Sequence, residues 1–200
     1  MTSLPVMEQF VTLQGEGFYT GKPAVFIRLA GCDVGCTWCD VKESWDESIH
    51  PSVEVIEIVG KILDYSTDFV VITGGEPSLH NLVPLVQELK KHNKYIAIET
   101  AGTNPLPEGI DWVCFSPKKF KKPIPEIYEQ VNELKVVINN KNDLRWAKRH
   151  AAKVNNKSVI YYLQPEWSKS DVLLPLILSF LQENPDWRLS LQTHKFLNIP

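Results

Sequence analysis

No run of apolar residues in this 200-residue chain approaches the roughly 20 that a membrane-crossing helix needs. A membrane partner is not expected. The opening Met1-Thr2-Ser3-Leu4-Pro5 lacks the charged-then-apolar layout of a secretory signal, which points to the cytoplasm. Charge of one sign is missing too, with 21 Lys+Arg against 24 Asp+Glu, and the one lysine-rich run (Lys118, Lys119, Lys121, Lys122) is short. Such a surface attracts a phosphate backbone weakly, so no nucleic-acid partner is expected. Cysteine is scarce at four residues, too few for a disulfide scaffold, and in a reducing compartment clustered thiols serve better as metal or redox groups. Three of the four do cluster. No repeat, low-complexity tract or linker interrupts the sequence, and 44% hydrophobic with 22% charged residues fits one soluble domain over residues 1–200.

What is present is a recurring apolar, β-branched run of strand length. Seven strands are predicted: Ala24 to Ala30, Asp68 to Thr73, Tyr95 to Thr100, Asp111 to Ser116, Glu133 to Ile138, Ser158 to Leu163 and Trp187 to Gln192. An earlier strand-like piece, Gln9 to Leu13, is placed as an edge hairpin. Helical periodicity fills the gaps at Val53 to Leu63, Leu82 to His92, Lys141 to Lys153 and Asp171 to Leu181. Strand then helix, repeated, implies a parallel α/β sheet, and about seven strands in 200 residues suits an incomplete barrel, since a full one takes about 250. Polar groups gather after these strands, at Gly31 to Asp40, Gly74 to Pro77, Glu99 to Thr103, Ser116 to Lys118, Gln164 to Glu166 and Gln192 to Lys195. In parallel sheets and barrels that edge is where ligands bind, so the loops are expected to converge.

Cys32, Cys36 and Cys39 place three thiols in eight residues, with Gly31 and Gly35 free to curl the chain. A structural zinc site wants four closed donors, and no second CxxC or HxxxH pair completes one. A zinc-binding module without turnover is the alternative from outside enzymology. Cys114, within Trp112-Val113-Cys114-Phe115, reads as a buried core residue. A four-iron cluster that only carries electrons takes four thiolates, so three leave one iron open to a ligand.

The Cys-x3-Cys-x2-Cys spacing, with Trp38 before the last cysteine, resembles the signature of radical S-adenosylmethionine (SAM) enzymes, and Gly74-Gly75-Glu76-Pro77 resembles their GGE segment. That resemblance implies a partial TIM-type barrel, a [4Fe-4S] cluster on Cys32, Cys36 and Cys39, and SAM chelated to the open iron. One electron then cleaves SAM to a radical that removes hydrogen from the substrate. A narrower resemblance spans nearly the whole chain. Gln14-Gly15-Glu16-Gly17, Phe26-Ile27-Arg28-Leu29, Cys39-Asp40, Thr73 to Pro77, Glu99 to Thr103, Ser116-Pro117-Lys118, Glu133-Leu134-Lys135, Gln164-Pro165 and Gln192 through Pro200 are similar to the 7-carboxy-7-deazaguanine synthases of the queuosine and deazapurine route.

By that resemblance the substrate is 6-carboxy-5,6,7,8-tetrahydropterin, ring-contracted with loss of ammonia while SAM is regenerated. It assigns substrate contacts to Gln14, Gly15, Glu16, Arg28, Thr73, Gly75, His194 and Pro200. Cofactor contacts fall to Trp38, Gly74, Gly75, Glu76, Glu99, Ser116, Lys118 and Gln164, and a magnesium ion to Asp40, although Val41 stands where a hydroxyl ligand is usual. Further implications are a homodimer and a flavodoxin- or ferredoxin-type electron donor. On the residues themselves, QGEG is also an ordinary turn. Arg28, on an apolar strand, needs an acidic partner, either the substrate carboxylate or an acid of the protein. His194 is a surface histidine, a substrate contact or a proton carrier. Lys135 is a charge in a buried strand pattern that would face the site. The tail is expected to be pinned by Phe196, Leu197 and Ile199, with the Pro200 carboxylate beside the pterin. A radical SAM activase acting on a partner enzyme is the competing enzymatic reading.

Overall fold

The computed structural model describes residues 2–200. Among the described residues, nine strands form one open sheet. β1 (Ser3–Leu13) pairs antiparallel with β2 (Pro23–Leu29) on one side and with the short β3 (Ser52–Glu54) on the other. From β2 the sheet runs parallel through β4 (Phe69–Gly74), β5 (Tyr95–Thr100), β6 (Trp112–Phe115), β7 (Glu133–Ile138), β8 (Ile160–Pro165) and β9 (Trp187–Leu189). The order β3-β1-β2-β4-β5-β6-β7-β8-β9 leaves β3 and β9 at its two ends, the incomplete barrel expected of seven parallel strands.

Strand β7 shows how the two faces divide. Leu134, Val136 and Ile138 are fully buried in the main apolar cluster with Leu144 and Ala147 of α4 (Asn142–Ala151), while the alternate residues Glu133 and Lys135 point to the inner face. The same cluster takes in Ile58, Val59 and Ile62 of α1 (Val55–Leu63), Leu85, Val86 and Leu89 of α2 (Val83–Lys91), and Ile127 of α3 (Ile127–Gln130). It ends on Leu173 and Ile177 of α5 (Ser170–Glu183). Each such side chain contributes about 1.5–3 kcal/mol. Inside the sheet, Phe18 and Tyr19 of the β1–β2 loop plug the strand beginnings. Phe18 stacks on Trp112 at 4.9 Å, and the Tyr19 hydroxyl lies 2.8 Å from that of Tyr95.

Among the boundaries that differ from the sequence reading, four have a local reason. The helix expected from Val53 starts at Val55, because Val53 pairs with Leu4 as part of β3. The edge piece Gln9 to Leu13 is the end of an eleven-residue strand. The sixth parallel strand runs to Pro165, so Gln164 lies within β8 instead of following it. The last stops at Leu189, where Ser190 turns its hydroxyl onto the Gln164 side chain. The short helices α3 and α6 (Thr193–Leu197) have no apolar stripe long enough to read in advance.

Candidate active site

The cysteine loop leaves the end of β2 and is fixed by its own backbone. Gly31 and Gly35 take φ of 97° and 69°, conformations that side chains disfavour. The Gly31 and Cys32 amides donate to Ser44 and Trp45 carbonyls at 2.7 and 3.3 Å, and Cys39 N–H to the Cys36 carbonyl at 3.1 Å. All three thiols are free and pack with Val34, Trp38 and Ala101 in one apolar cluster, Cys36 buried and the others half-buried. Cys114 sits apart on β6, 2% exposed. Burial, then Glu133 and Glu99, push its thiol well above the ordinary range, so it stays protonated.

The glycine-rich segment is laced to that loop. Gly75 N–H donates to Leu29 O at 3.0 Å and Glu76 N–H to Gly31 O at 2.9 Å. A side chain at Gly75 would stand 2.3 Å from Gly31 O and 2.7 Å from Cys32 Cβ, so only glycine lets the two segments meet. Glu76 is engaged inward. Its Oε1 accepts from Ser78 N–H, the Ser78 hydroxyl and the Thr100 hydroxyl, and its Oε2 accepts from Ala101 N–H at 2.6 Å. The Glu76 carboxylate thus ties β4 to the end of β5. Lys118 Nζ donates to Ser116 O at 2.9 Å and also to the Ser116 hydroxyl, and lies 5.7 Å from the Trp38 ring centre. Burial lowers the Lys118 pKa.

The facing wall is a continuous ionic network. Lys135, 3% exposed, donates to Glu16 at 2.5 Å and to Glu99 at 2.9 Å. Gln192 donates to the other Glu16 oxygen at 2.9 Å and to Asp40 at 3.4 Å, Gln14 donates to Glu99 at 3.3 Å, and Lys195 pairs with Asp40 at 2.5 Å. Burial alone would raise the Glu16 carboxyl, but the charge and hydrogen bond of Lys135, aided by Gln192, hold it down at about 2. Glu16 is therefore an anion at every physiological pH. Burial disfavours the Lys135 ammonium, and the carboxylates of Glu16, Glu99 and Glu133 reverse this and raise its pKa well above the usual. His194 is pushed below its usual pKa by burial and packs on Gly15, where a Cβ would come 2.1 Å from its Nδ1.

One cavity of about 530 Å³ joins the two walls. That volume is in the range of small-molecule sites. Its lining includes Cys36, Cys39, Trp38 and the Thr73–Glu76 segment, with Ser116, Lys118, Gln164 and Arg28, and the network residues Gln14, Glu16, Glu99 and Asp40 with Gly15, His194 and Pro200. The expected site residues thus meet in one place, except that Cys32 lies just behind the lining. Arg28 departs from the expectation of a buried cation. Its side chain is 20% exposed and its Nε pairs with Glu8 at 2.5 Å, the protein acid that the strand pattern required. Gln164 accepts from Ser190 Oγ at 2.7 Å, and that oxygen accepts from Gly17 N–H at 3.0 Å. Sequence reasoning expected Lys135 to face the site, and quoted Glu133, Gln192 and Lys195 only within motifs, with no role of their own. The signal was the alternation Glu133-x-Lys135, two charges on one face of an otherwise apolar strand.

These residues fit an iron-sulfur cluster with a chelated cofactor. Three free thiols stand on a loop held by backbone hydrogen bonds, and a second loop meets it with no side chain in between. Among the described residues no three His, Cys, Asp or Glu side chains converge on a single point, as one zinc ion would require. A four-iron cluster instead takes each thiolate on its own iron.

Comparison with known proteins settles the family. The radical SAM superfamily matches residues 26–119. A 7-carboxy-7-deazaguanine synthase of Flavobacterium psychrophilum is 51% identical over 197 residues, covering 98% of this chain and 93% of that protein. The Escherichia coli K12 synthase is 36% identical over 98% of both chains. The chain belongs to the 7-carboxy-7-deazaguanine synthase family. The crystal structure of QueE from Escherichia coli superposes with a TM-score of 0.81 at 33% identity, covering 96% of this chain and 95% of that one. This membership removes support from the activase reading, and the family's radical SAM chemistry brings with it the [4Fe-4S] cluster and SAM.

Proposed function

We infer that this synthase converts 6-carboxy-5,6,7,8-tetrahydropterin to 7-carboxy-7-deazaguanine, contracting the ring with loss of ammonia. One observation supports the placement of the chemistry: a single cavity has the three-thiol loop on one wall and an ionised, pre-paired carboxylate, Glu16, on the other. When bound, the cluster and SAM supply a carbon-centred radical that removes hydrogen from the substrate.

In this reading Cys32, Cys36 and Cys39 hold the cluster, and the Gly74–Gly75 backbone, placed by Glu76, receives the methionine end of SAM. Lys118 and Ser116 present a cation and a hydroxyl to its carboxylate and ribose, while Glu99 and Gln164 complete that side. Trp38 covers the cluster. Glu16 accepts from the donor-rich edge of the pterin, an N–H beside an amino group, as a carboxylate can in bidentate fashion. Lys135, shared with Glu99, offsets part of the Glu16 charge. Arg28 exchanges Glu8 for the substrate carboxylate. Gln14, Gly15, Thr73, Gly75 and Pro200 frame the ring, and His194, neutral at pH 7, accepts hydrogen bonds or a proton. Magnesium on Asp40 would replace the Lys195 ammonium there. The reading further includes a single domain over residues 1–200, a homodimer, a cytoplasmic setting and a flavodoxin- or ferredoxin-type donor.

The test is anaerobic incubation of the iron-loaded protein with SAM, reductant and the carboxypterin. A product lighter than the substrate by one ammonia is expected, with deuterium from the substrate carbon bearing the carboxylate passing into SAM. Release of one 5′-deoxyadenosine per product would overturn the catalytic use of SAM.

A further inference from the structure

The segment that follows β9 ties down the loop of residues 14–17 at successive positions. Thr193 donates its N–H and its hydroxyl to the Gly15 carbonyl at 2.9 and 2.8 Å, Gln192 holds Glu16, and the Ser190 hydroxyl takes the Gly17 N–H. Ser190, 2% exposed, also donates to Gln164 on β8, so one hydroxyl joins that loop to a side chain that lines the cavity. The direction of both bonds is fixed by chemistry. A backbone N–H can only donate, so the Ser190 oxygen accepts from Gly17 and its one proton goes to Gln164 Oε1, 2.7 Å away. Turning the amide over would make that oxygen accept twice and leave the Ser190 proton with no acceptor among the described residues, the loss of a buried bond. Gln164 therefore keeps Oε1 toward Ser190 and Nε2 away from it. The side chain is 4% exposed, and its Nε2 has no partner among the described residues yet is not sealed in the core. That leaves the cavity as the place where its protons are used.

We propose that Ser190 is a positioning residue that presents Gln164 to the cavity as a fixed hydrogen-bond donor, and that this donor selects a ring nitrogen of the SAM adenine. The inference rests on the reading of Gln164 as a SAM contact, and names what gives that contact its polarity. The chemistry favours this ligand atom. The unprotonated ring nitrogens of adenine are acceptors, whereas the pterin edge that Glu16 receives is donor-rich and offers an N–H nothing to bond. A buried donor that faces a C–H in place of a nitrogen loses its bond and gains no water, so a site built on that bond rejects the ligand lacking it. The same hydroxyl that sets the amide is held by Gly17, one residue beyond Glu16. The polarity of the cofactor contact is thus set from the substrate loop.

The test is anaerobic equilibrium dialysis of the cluster-loaded protein, at equal iron content, with SAM and with its 1-deaza, 3-deaza and 7-deaza analogues, in each of which a C–H replaces one adenine nitrogen. Wild type is expected to bind one analogue about tenfold more weakly than SAM. In Ser190→Ala the Gln164 amide is free to turn over, so SAM weakens about fivefold and the gap to that analogue shrinks to about twofold. Gln164→Met fills the same space without a donor; it closes the gap as well, and carries the test if Ser190→Ala does not fold. A packing defect would weaken SAM and analogue alike, so a gap that stays at about tenfold in both variants would overturn the proposal. So would a wild type that binds all three analogues as tightly as SAM. A Ser190→Ala protein that loses affinity for the carboxypterin and keeps its affinity for SAM would overturn it too, by assigning the amide to the substrate. Iron-loaded wild type that binds no SAM would instead remove the reading of the cofactor wall on which the proposal stands.

Discussion

The two walls of the cavity are built on opposite principles. On the cofactor wall the backbone does the holding. Glycines 31, 74 and 75 admit close approach, Gly35 takes a positive φ, amide-to-carbonyl bonds lace the Gly75 segment to the cysteine loop, and the three thiols make none of the hydrogen bonds that hold it. On the substrate wall the side chains hold one another, from Asp40 through Lys195, Gln192, Glu16 and Lys135 to Glu99 and Gln14. The difference predicts how each wall fails. Removing a cluster thiol loses the ligand and little else, whereas removing a member of the network strands its neighbours.

The largest expected effect is therefore also the most selective. Cys32→Ala, Cys36→Ala or Cys39→Ala should each abolish iron binding and turnover while the apo protein melts within a few degrees of wild type. Cys114→Ala should keep iron and turnover and lose about 1 kcal/mol from a small cavity under the sheet. A folded Cys114→Ala protein without iron would break the three-ligand assignment, and iron counting by metal analysis decides it.

The second effect is the reverse in kind. Lys135→Met leaves Glu16 and Glu99 in the barrel without their cation, and stranding a buried charge costs about 3–5 kcal/mol. Adding Glu16→Gln and Glu99→Gln should restore most of that stability in denaturant titrations, with turnover still absent. If the triple variant were no more stable than Lys135→Met, the network would not be coupled and the contrast between the walls would fail.

Much of the cofactor wall was legible in the sequence, because its signals are local. Spacing of cysteines, paired glycines after an apolar run, and Ser-Pro-Lys after another each announce themselves within a few residues. The outer layer was legible for the same reason, period 2 in the strands and 3.6 in the helices. The substrate wall was less so. Lys135 meets a glutamate 119 positions away, and Gln192 one 176 positions away, so nothing in either neighbourhood names the partner. Arg28 shows the limit well. Its pattern demanded an acid, and only the β1–β2 register, which pairs Glu8 with Arg28, supplies it.

The smallest effect concerns Glu133, the other charge on the inner face of β7. Its Oε2 accepts from Phe18 N–H at 3.2 Å and Trp112 Nε1–H at 3.1 Å, while Oε1 is buried with no partner and faces Gly17, where a Cβ would stand 1.9 Å away. Burial raises its carboxyl to about 6, with Lys135 opposing and Glu99 adding to the rise. The folded protein thus holds this proton more tightly than the unfolded chain, whose carboxyl titrates near 4.5. Stability from this group is fully present below pH 4.5 and is lost as pH rises through about 6, by about 2 kcal/mol for a shift of this size. Glu16 runs the other way: its contribution is present above pH 4.5 and is lost only as pH falls toward about 2. His150, lowered to about 4 by burial and then by Lys153 and Arg149, gains stability for the fold as pH rises across the same window and would mask the Glu133 loss in wild type alone. The difference between wild type and Glu133→Gln removes that mask. Urea titrations between pH 4 and 7.5 should show the variant gaining about 2 kcal/mol relative to wild type as pH rises, whatever its absolute stability. A pH-independent difference would mean that the carboxyl of Glu133 titrates alike in the folded and unfolded chain, and that the charges on the inner face of β7 are balanced without a proton.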